Sequence, residues 1–159
     1  MNSKINRYNI RVYGIIINTD NEVLLSDEFQ LDKRMTKFPG GGMEFGEGAI
    51  DCLKREGIEE FGQEIEVMEH FYTTDYFQAT QFYTDAQLLS IYYKANFISP
   101  IKFKISNKSF NFGKEENGAQ SFRWKKIKDL ETEEMTFPID KKVVALLKEK
   151  MKMEKYDSI

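Results

Sequence analysis

The chain has 159 residues, 41% hydrophobic and 31% charged, with 3 Pro and 10 Gly, which excludes a disordered or fibrous chain and matches one globular domain. With 23 basic and 26 acidic residues and a formal net charge of −3, it lacks the basic excess that would suit a nucleic-acid polymer or an anionic membrane as partner. The single cysteine, Cys52, fits a reducing, cytoplasmic setting, the polar start Met1–Arg7 has no apolar core for a leader, and no apolar run reaches the roughly 18 residues of a membrane span.

In chain order, Ile10–Ile17 (IRVYGIII) is β-branched and aromatic and predicts a buried strand. Asp20-Asn21 interrupts it, and Val23-Leu24-Leu25 follows, so the two runs read as a hairpin. Residues 26–36 are mixed and polar and read as a loop. From Phe38 to Gly48 (FPGGGMEFGEG) the chain spends five of its ten glycines, a density that predicts an exposed backbone rather than a regular element. Ala49–Phe61 has helical spacing, with Ala49, Cys52 and Leu53 on one face and Gly62 as its stop. Ile65 opens an alternating strand to about Asp75, Gln87–Phe97 is a second β run, and residues 76–86 between them form an aromatic loop. Gly113–Gly118 is a polar loop, Ser121–Trp124 a strand, and Ile139–Met153 an amphipathic helix whose stripe is Val143, Val144, Leu146, Leu147 and Met151. Strands around one helix and closed by another predict an α/β or α+β domain with a mixed sheet.

The chemistry concentrates between Gly41 and Gly62. Glu56, Glu59 and Glu60 stand at i, i+3 and i+4, so all three carboxylates fall within about a 100° arc of one helix face. Carboxylates that close repel, and a hard divalent cation such as Mg²⁺ or Mn²⁺ removes the repulsion. Arg55 is placed to pair with Glu47 or Glu59. A glycine loop at the head of a helix lets peptide groups approach a ligand or metal.

The spacing resembles the Nudix box, the signature of Nudix hydrolases: Gly, five residues, Glu, seven residues, Arg-Glu, an apolar residue, any residue, Glu-Glu, any residue, Gly and an apolar residue. Gly41, Glu47, Arg55, Glu56, Glu59, Glu60 and Gly62 occupy all seven fixed positions. Gly57 and Gln63 stand at the two apolar positions, so packing around the helix departs from the pattern while the carboxylates do not. Phe38-Pro39-Gly40-Gly41 looks like the family's lead-in, and Trp124, Ile127 and Leu130 look like its closing strand and turn.

The resemblance implies a single Nudix domain over residues 1–159, built as an α/β/α sandwich with a mixed β-sheet, the box loop-helix and a C-terminal helix. It implies Mg²⁺-dependent (or Mn²⁺-dependent) hydrolysis of a pyrophosphate bond in a nucleoside diphosphate linked to another group. Glu56 and Glu60 would be the principal metal ligands, with the backbone carbonyl of Gly40, and Glu59 a further ligand or the base. Glu47 and Arg55 would hold the helix against the loop. Glu115 and Glu116 are the alternative bases from a later loop, against their reading as an exposed acidic turn. His70 reads as a packed, hydrogen-bonded residue, and Cys52 as a buried inert thiol.

For substrate, Lys37, Arg34 and Lys33 could meet phosphates, and Tyr76, with Phe71, Tyr72, Phe77, Phe82 and Tyr83, could stack on a base. The proline of ADP-ribose hydrolases would fall near Gln78-Ala79-Thr80, where none stands, and the NADH-hydrolase Ser-Gln-Pro-Trp motif is missing. By elimination among the family's subgroups, the resemblance implies a chain closer to the small nucleoside-triphosphate type. A non-catalytic nucleotide-sensing domain is the competing reading. The isoprenoid-diphosphate isomerase branch needs a cysteine in its site, whereas Cys52 lies on the apolar face of the box helix. A homodimer is compatible with the family.

Overall fold

The first apolar run forms β1 (Arg7–Ile16) in the computed structural model, which describes residues 4–157. Met1, Asn2 and Ser3, where the leader reading starts, and the last two residues of the expected domain lie outside the described residues. There follow β2 (Glu22–Gln30), β3 (Lys33–Lys37), β4 (Gly40–Gly42), α1 (Ala49–Phe61), β5 (Ile65–Thr73), β6 (Ala86–Phe97), β7 (Ile105–Ser106) and β8 (Gln120–Lys126). Short 3-10 turns at Ile127–Asp129 and Thr132–Glu134 then lead into α2 (Pro138–Asp157). The class is α+β, as expected, but the strands form two four-stranded sheets, ordered β4-β1-β6-β5 and β3-β2-β8-β7. In the second, β7 runs parallel to β8 while the other neighbours are antiparallel, so that sheet is mixed. Among the described residues no helix is long and apolar enough to cross a membrane.

The sheets belong to two compact units. One comprises the stretch up to Ile15 with Pro39–Lys102, the other Ile16–Phe38 with the stretch from Phe103 onward.

In the first unit, α1 starts at Gly48, whose N–H donates to the Asp51 carboxylate at 3.0 Å. It stops at Gly62, which is left-handed at φ 67° and returns its N–H to Ile58 O. The helix buries Cys52, Leu53, Gly57 and Phe61. Packing at Gly57 is tight: a Cβ there would stand 3.0 Å from Ile65 Cγ1, so Ile65 fills the space that a larger residue would take. Gln63 is buried as well, and its side chain is fully employed. Its amide donates to Ser99 Oγ and Pro100 O, both at 3.2 Å, and its carbonyl accepts the Lys102 N–H at 2.8 Å.

In the second unit two expectations fail. The residues read as a loop at 26–36 are mostly strand, and β2 pairs in a hairpin with β3, not with β1. Between the runs expected to pair, only the single bridge Ile17↔Val23 forms. The β2–β3 turn is Leu31-Asp32 with φ 51° and 59°, the mirror-type turn that suits a twisted hairpin. It lacks the Asn-Gly signal that would announce it. Asn117 secures it, accepting the Asp32 N–H at 2.9 Å and donating to the Asp32 carboxylate.

Asp27 is the reason a polar run can be a central strand. It is fully buried, and its carboxylate accepts from Arg123 Nε (2.7 Å), Thr36 Oγ1 (2.7 Å) and the Phe110 N–H (3.0 Å). One acid thereby links β2, β3, β8 and the loop before β8. Removing it strands a buried guanidinium, so Asp27→Ala should lower unfolding free energy by about 3–5 kcal/mol in urea denaturation. A loss below about 1 kcal/mol would mean that the ion pair is replaceable by water.

Candidate functional site

The glycine strand β4 lies at the edge of the first sheet, antiparallel to β1, with Arg11↔Gly42, Val12↔Gly41 and Tyr13↔Gly40 in register. An edge strand exposes a row of unpaired peptide groups. Here side chains of α1 meet that row. The Gly40 N–H donates to Glu60 Oε2 at 3.0 Å, and the Gly42 carbonyl accepts from Arg55 Nη2 at 2.9 Å. Gly40 has φ 144°, and a Cβ there would strike the Val12 carbonyl. A Cβ on Gly41 would run into the Glu56 carboxylate, so Glu56 occupies the notch that only glycine leaves open.

Arg55 gathers the acids. It grips Glu47 with both ends of its fork (Nε to Oε2 3.0 Å, Nη2 to Oε1 2.8 Å), while Nη1 reaches Glu56 at 3.2 Å and Glu59 at 3.1 Å. The sequence reading offered Glu47 or Glu59 as partner; both are taken. Arg55 and the Glu44 N–H (2.8 Å) hold the Glu47 carboxyl down to about 2. Glu47 and Glu56 are each 14% exposed in their side chains, whereas Glu59 is 54% exposed. Glu59 is thus the carboxylate of the set most open to water.

Cys52 is buried beneath this cluster, and burial pushes its thiol up to about 12, with Glu47 adding to the effect. That is the inert thiol expected.

Arg34 and Lys37 are on β3, in the second unit. Arg34 forms a bidentate pair with Glu115 (2.6 and 3.1 Å) and lies 5.2 Å above the Phe110 ring. A phosphate candidate and a base candidate therefore bind each other. Lys37 is buried with Nζ 3.0 Å from Glu28 Oε2, and Glu116 pairs with Lys114 at 3.2 Å. His70, expected to be packed, is exposed at an irregularity of β5, its Nε2 2.7 Å from Thr73 Oγ1. Tyr76, Phe77, Phe82 and Tyr83 are exposed in the loop between β5 and β6. Arg11, not singled out from sequence, stands beside the glycine strand; a lone cation in an apolar β run was the available signal.

Among the described residues no three His, Cys, Asp or Glu side chains converge as a ready-made metal cluster; the acids converge on Arg55 and on the Gly40 N–H. The donor chemistry still fits a hard divalent cation. Glu56, Glu59 and Glu60 offer only oxygen, and Glu56 is seated against a strand with no side chains of its own.

The family model described as the NUDIX domain matches residues 7–147. The chain belongs to the Nudix family of pyrophosphohydrolases, enzymes that act on phosphorus-containing acid anhydrides and generally use divalent metal ions. Among solved structures it is similar to a NUDIX hydrolase from Nitrosomonas europaea, at 18% identity over 87% of this chain and 86% of that one, TM-score 0.64. A MutT protein from Methanosarcina mazei Go1 matches at 17% identity, 92% and 97% coverage and TM-score 0.64. An ADP-ribose pyrophosphatase from Streptococcus suis 89-1591 matches at 15%, 90% and 91%, and 0.57. At these identities the likeness establishes the fold. No curated protein matches the chain in sequence.

Two measurements follow from the cluster. Native protein at pH 8 should leave Cys52 unmodified by a thiol reagent, with one thiol appearing only on unfolding in denaturant. Rapid native labelling would contradict the burial. Glu47 has a folded pKa below its unfolded value near 4.5, so the stability it adds is full above pH 4.5 and fades as pH falls toward about 2. Glu47→Gln should therefore flatten the fall in melting temperature across that window; an unchanged slope would show that the Arg55 pair does not persist in solution.

Proposed function

We propose that this chain is a Mg²⁺-dependent Nudix pyrophosphohydrolase that cleaves a small nucleoside triphosphate. The observation that carries the reading is the carboxylate set of α1, with Glu56 seated against Gly41 and Glu60 accepting the Gly40 N–H of the edge strand. Glu56 and Glu60, with the Gly40 carbonyl, would hold the cation, and Mn²⁺ suits the same donors. Bound there, a divalent ion supplies positive charge that offsets the phosphate oxygens and polarises the attacking water. Arg55, fixed by Glu47, keeps the glycine strand and helix in one geometry, so the backbone that carries the carboxylates is already in place, and Glu56 and Glu59 would exchange Arg55 for the cation and its water. Glu59 is our choice for the group that takes the water's proton, because it is the most exposed of the three while Glu115 is bound to Arg34. Among substrates, the missing proline near Gln78 favours nucleoside triphosphates over ADP-ribose. The intact carboxylate set speaks against a purely sensing domain.

Protein with Mg²⁺ and a panel of nucleoside triphosphates, nucleotide sugars and dinucleotides should release phosphate or pyrophosphate from at least one compound. EDTA should abolish release and excess Mg²⁺ restore it. Glu56→Gln should lower kcat by about two to four powers of ten with the melting temperature nearly unchanged. Turnover of nothing on the panel, with a nucleotide still raising the melting temperature, would instead establish the sensing domain.

A further inference from the structure

We infer that Glu44 is the reserve counter-ion of Arg55, a positioning residue that takes over Nη1 when Glu56 turns to a divalent cation. The part given to Glu56 rests on the pyrophosphohydrolase reading; the juxtaposition of Glu44 and Arg55 does not.

A guanidinium carries five N–H donors, and in Arg55 all of them are in use. Nε and Nη2 hold Glu47, and Nη2 also reaches the Gly42 carbonyl. Nη1 is divided between Glu56 at 3.2 Å and Glu59 at 3.1 Å. These two acids are the ones the reaction calls away, one to the cation and the other to the attacking water. Arg55 is only 25% exposed in its side chain, so water is a poor substitute for a carboxylate withdrawn from it.

Glu44 is the nearby acid whose carboxylate is not yet bonded. Its Oε1 stands 3.8 Å from Arg55 Nη1, close enough to attract but beyond hydrogen-bond length, and its carboxylate accepts no hydrogen bond among the described residues. The side chain is 68% exposed and has room to turn. Its backbone, by contrast, is pinned: the Glu44 N–H donates at 2.8 Å to Glu47 Oε1, the oxygen that also accepts Arg55 Nη2. Glu47 thus holds the base of Glu44 beside the guanidinium and leaves the carboxylate loose.

A movement of about 1 Å would bring Glu44 to the length of a charge-assisted hydrogen bond on Nη1. Glu56 and Glu44 would then exchange the same donor while the fork on Glu47 stays closed. Withdrawing Glu56 from Arg55 becomes less costly by the strength of the new bond, so cation affinity depends on Glu44 although Glu44 touches no cation. Position 44 is one of the five unfixed places between Gly41 and Glu47, which is why the spacing did not single it out.

Binding of Mn²⁺ alone, followed by calorimetry and by the metal-induced rise in melting temperature, tests the assignment apart from turnover. Glu44→Gln should weaken Mn²⁺ binding by about three- to tenfold. The melting temperature of the metal-free protein should barely change, because an exposed pair at this distance adds little. Glu44→Asp separates contact from charge: it keeps the charge but shortens the arm by one methylene, and should bind Mn²⁺ as weakly as Glu44→Gln. Wild-type affinity in Glu44→Asp would make Glu44 a nearby charge and no more, and wild-type affinity in Glu44→Gln would give it no part at all; either result overturns the assignment. Turnover of a nucleotide with both variants binding Mn²⁺ normally would keep the hydrolase reading and discard Glu44. Weakened binding in both variants, with no nucleotide turned over by wild type, would keep Glu44 and discard the hydrolase reading. Wild-type protein that binds no Mn²⁺ would overturn both.

Discussion

The carboxylates of Glu47, Glu56 and Glu59 would repel one another on a bare helix and loop, and the guanidinium of Arg55 is what holds them together. Its fork spans Glu47 while a second nitrogen reaches Glu56 and Glu59, and it also takes a peptide carbonyl of the glycine strand. A lysine could supply the charge but not these directions at once. The helix, the loop before it and the edge strand share this one residue, so the positions of Glu47, Glu56 and Glu59 are tied to one another through it. A cation held as proposed would compete with Arg55 for Glu56 but not for Glu47, which would stay as the loop's fastening.

The glycines make that arrangement possible from the other side. A strand edge is usually covered by another strand, a loop or exposed charges. In β4 the covering groups are a carboxylate on the Gly40 N–H and a guanidinium on the Gly42 carbonyl. Side chains of the box helix thus satisfy the backbone, and a change on either side disturbs both. Gly41 adds a steric condition, since any side chain there takes the place of the Glu56 carboxylate.

The box and its helix were legible because their determinants are local. The i, i+3, i+4 carboxylates and the Gly62 stop follow from helix geometry alone, and α1 runs over Ala49–Phe61 as expected. The hairpin was not legible. Ser26-Asp27-Glu28 looks like a loop until Arg123, 96 residues away, supplies the buried partner that lets Asp27 sit inside a strand. The Leu31-Asp32 turn lacks the usual glycine or asparagine pair and is secured instead by Asn117, 85 residues on. Conversely, the expected phosphate contact Arg34 and base candidate Glu115 were each reasonable in isolation, and only the fold shows them bound to one another.

Gln63 carries a different lesson. It stands where the family pattern has an apolar residue, yet its amide is bonded to three points on the stretch from Ser99 to Lys102, where the chain leaves the first unit for the second. Restoring the family-typical residue is commonly a route to a sturdier protein. At this position it would unfasten the crossover, taking its partners from the Pro100 carbonyl and the Lys102 N–H. An apolar residue at position 63 therefore suits this chain only together with a different Ser99–Lys102 crossover.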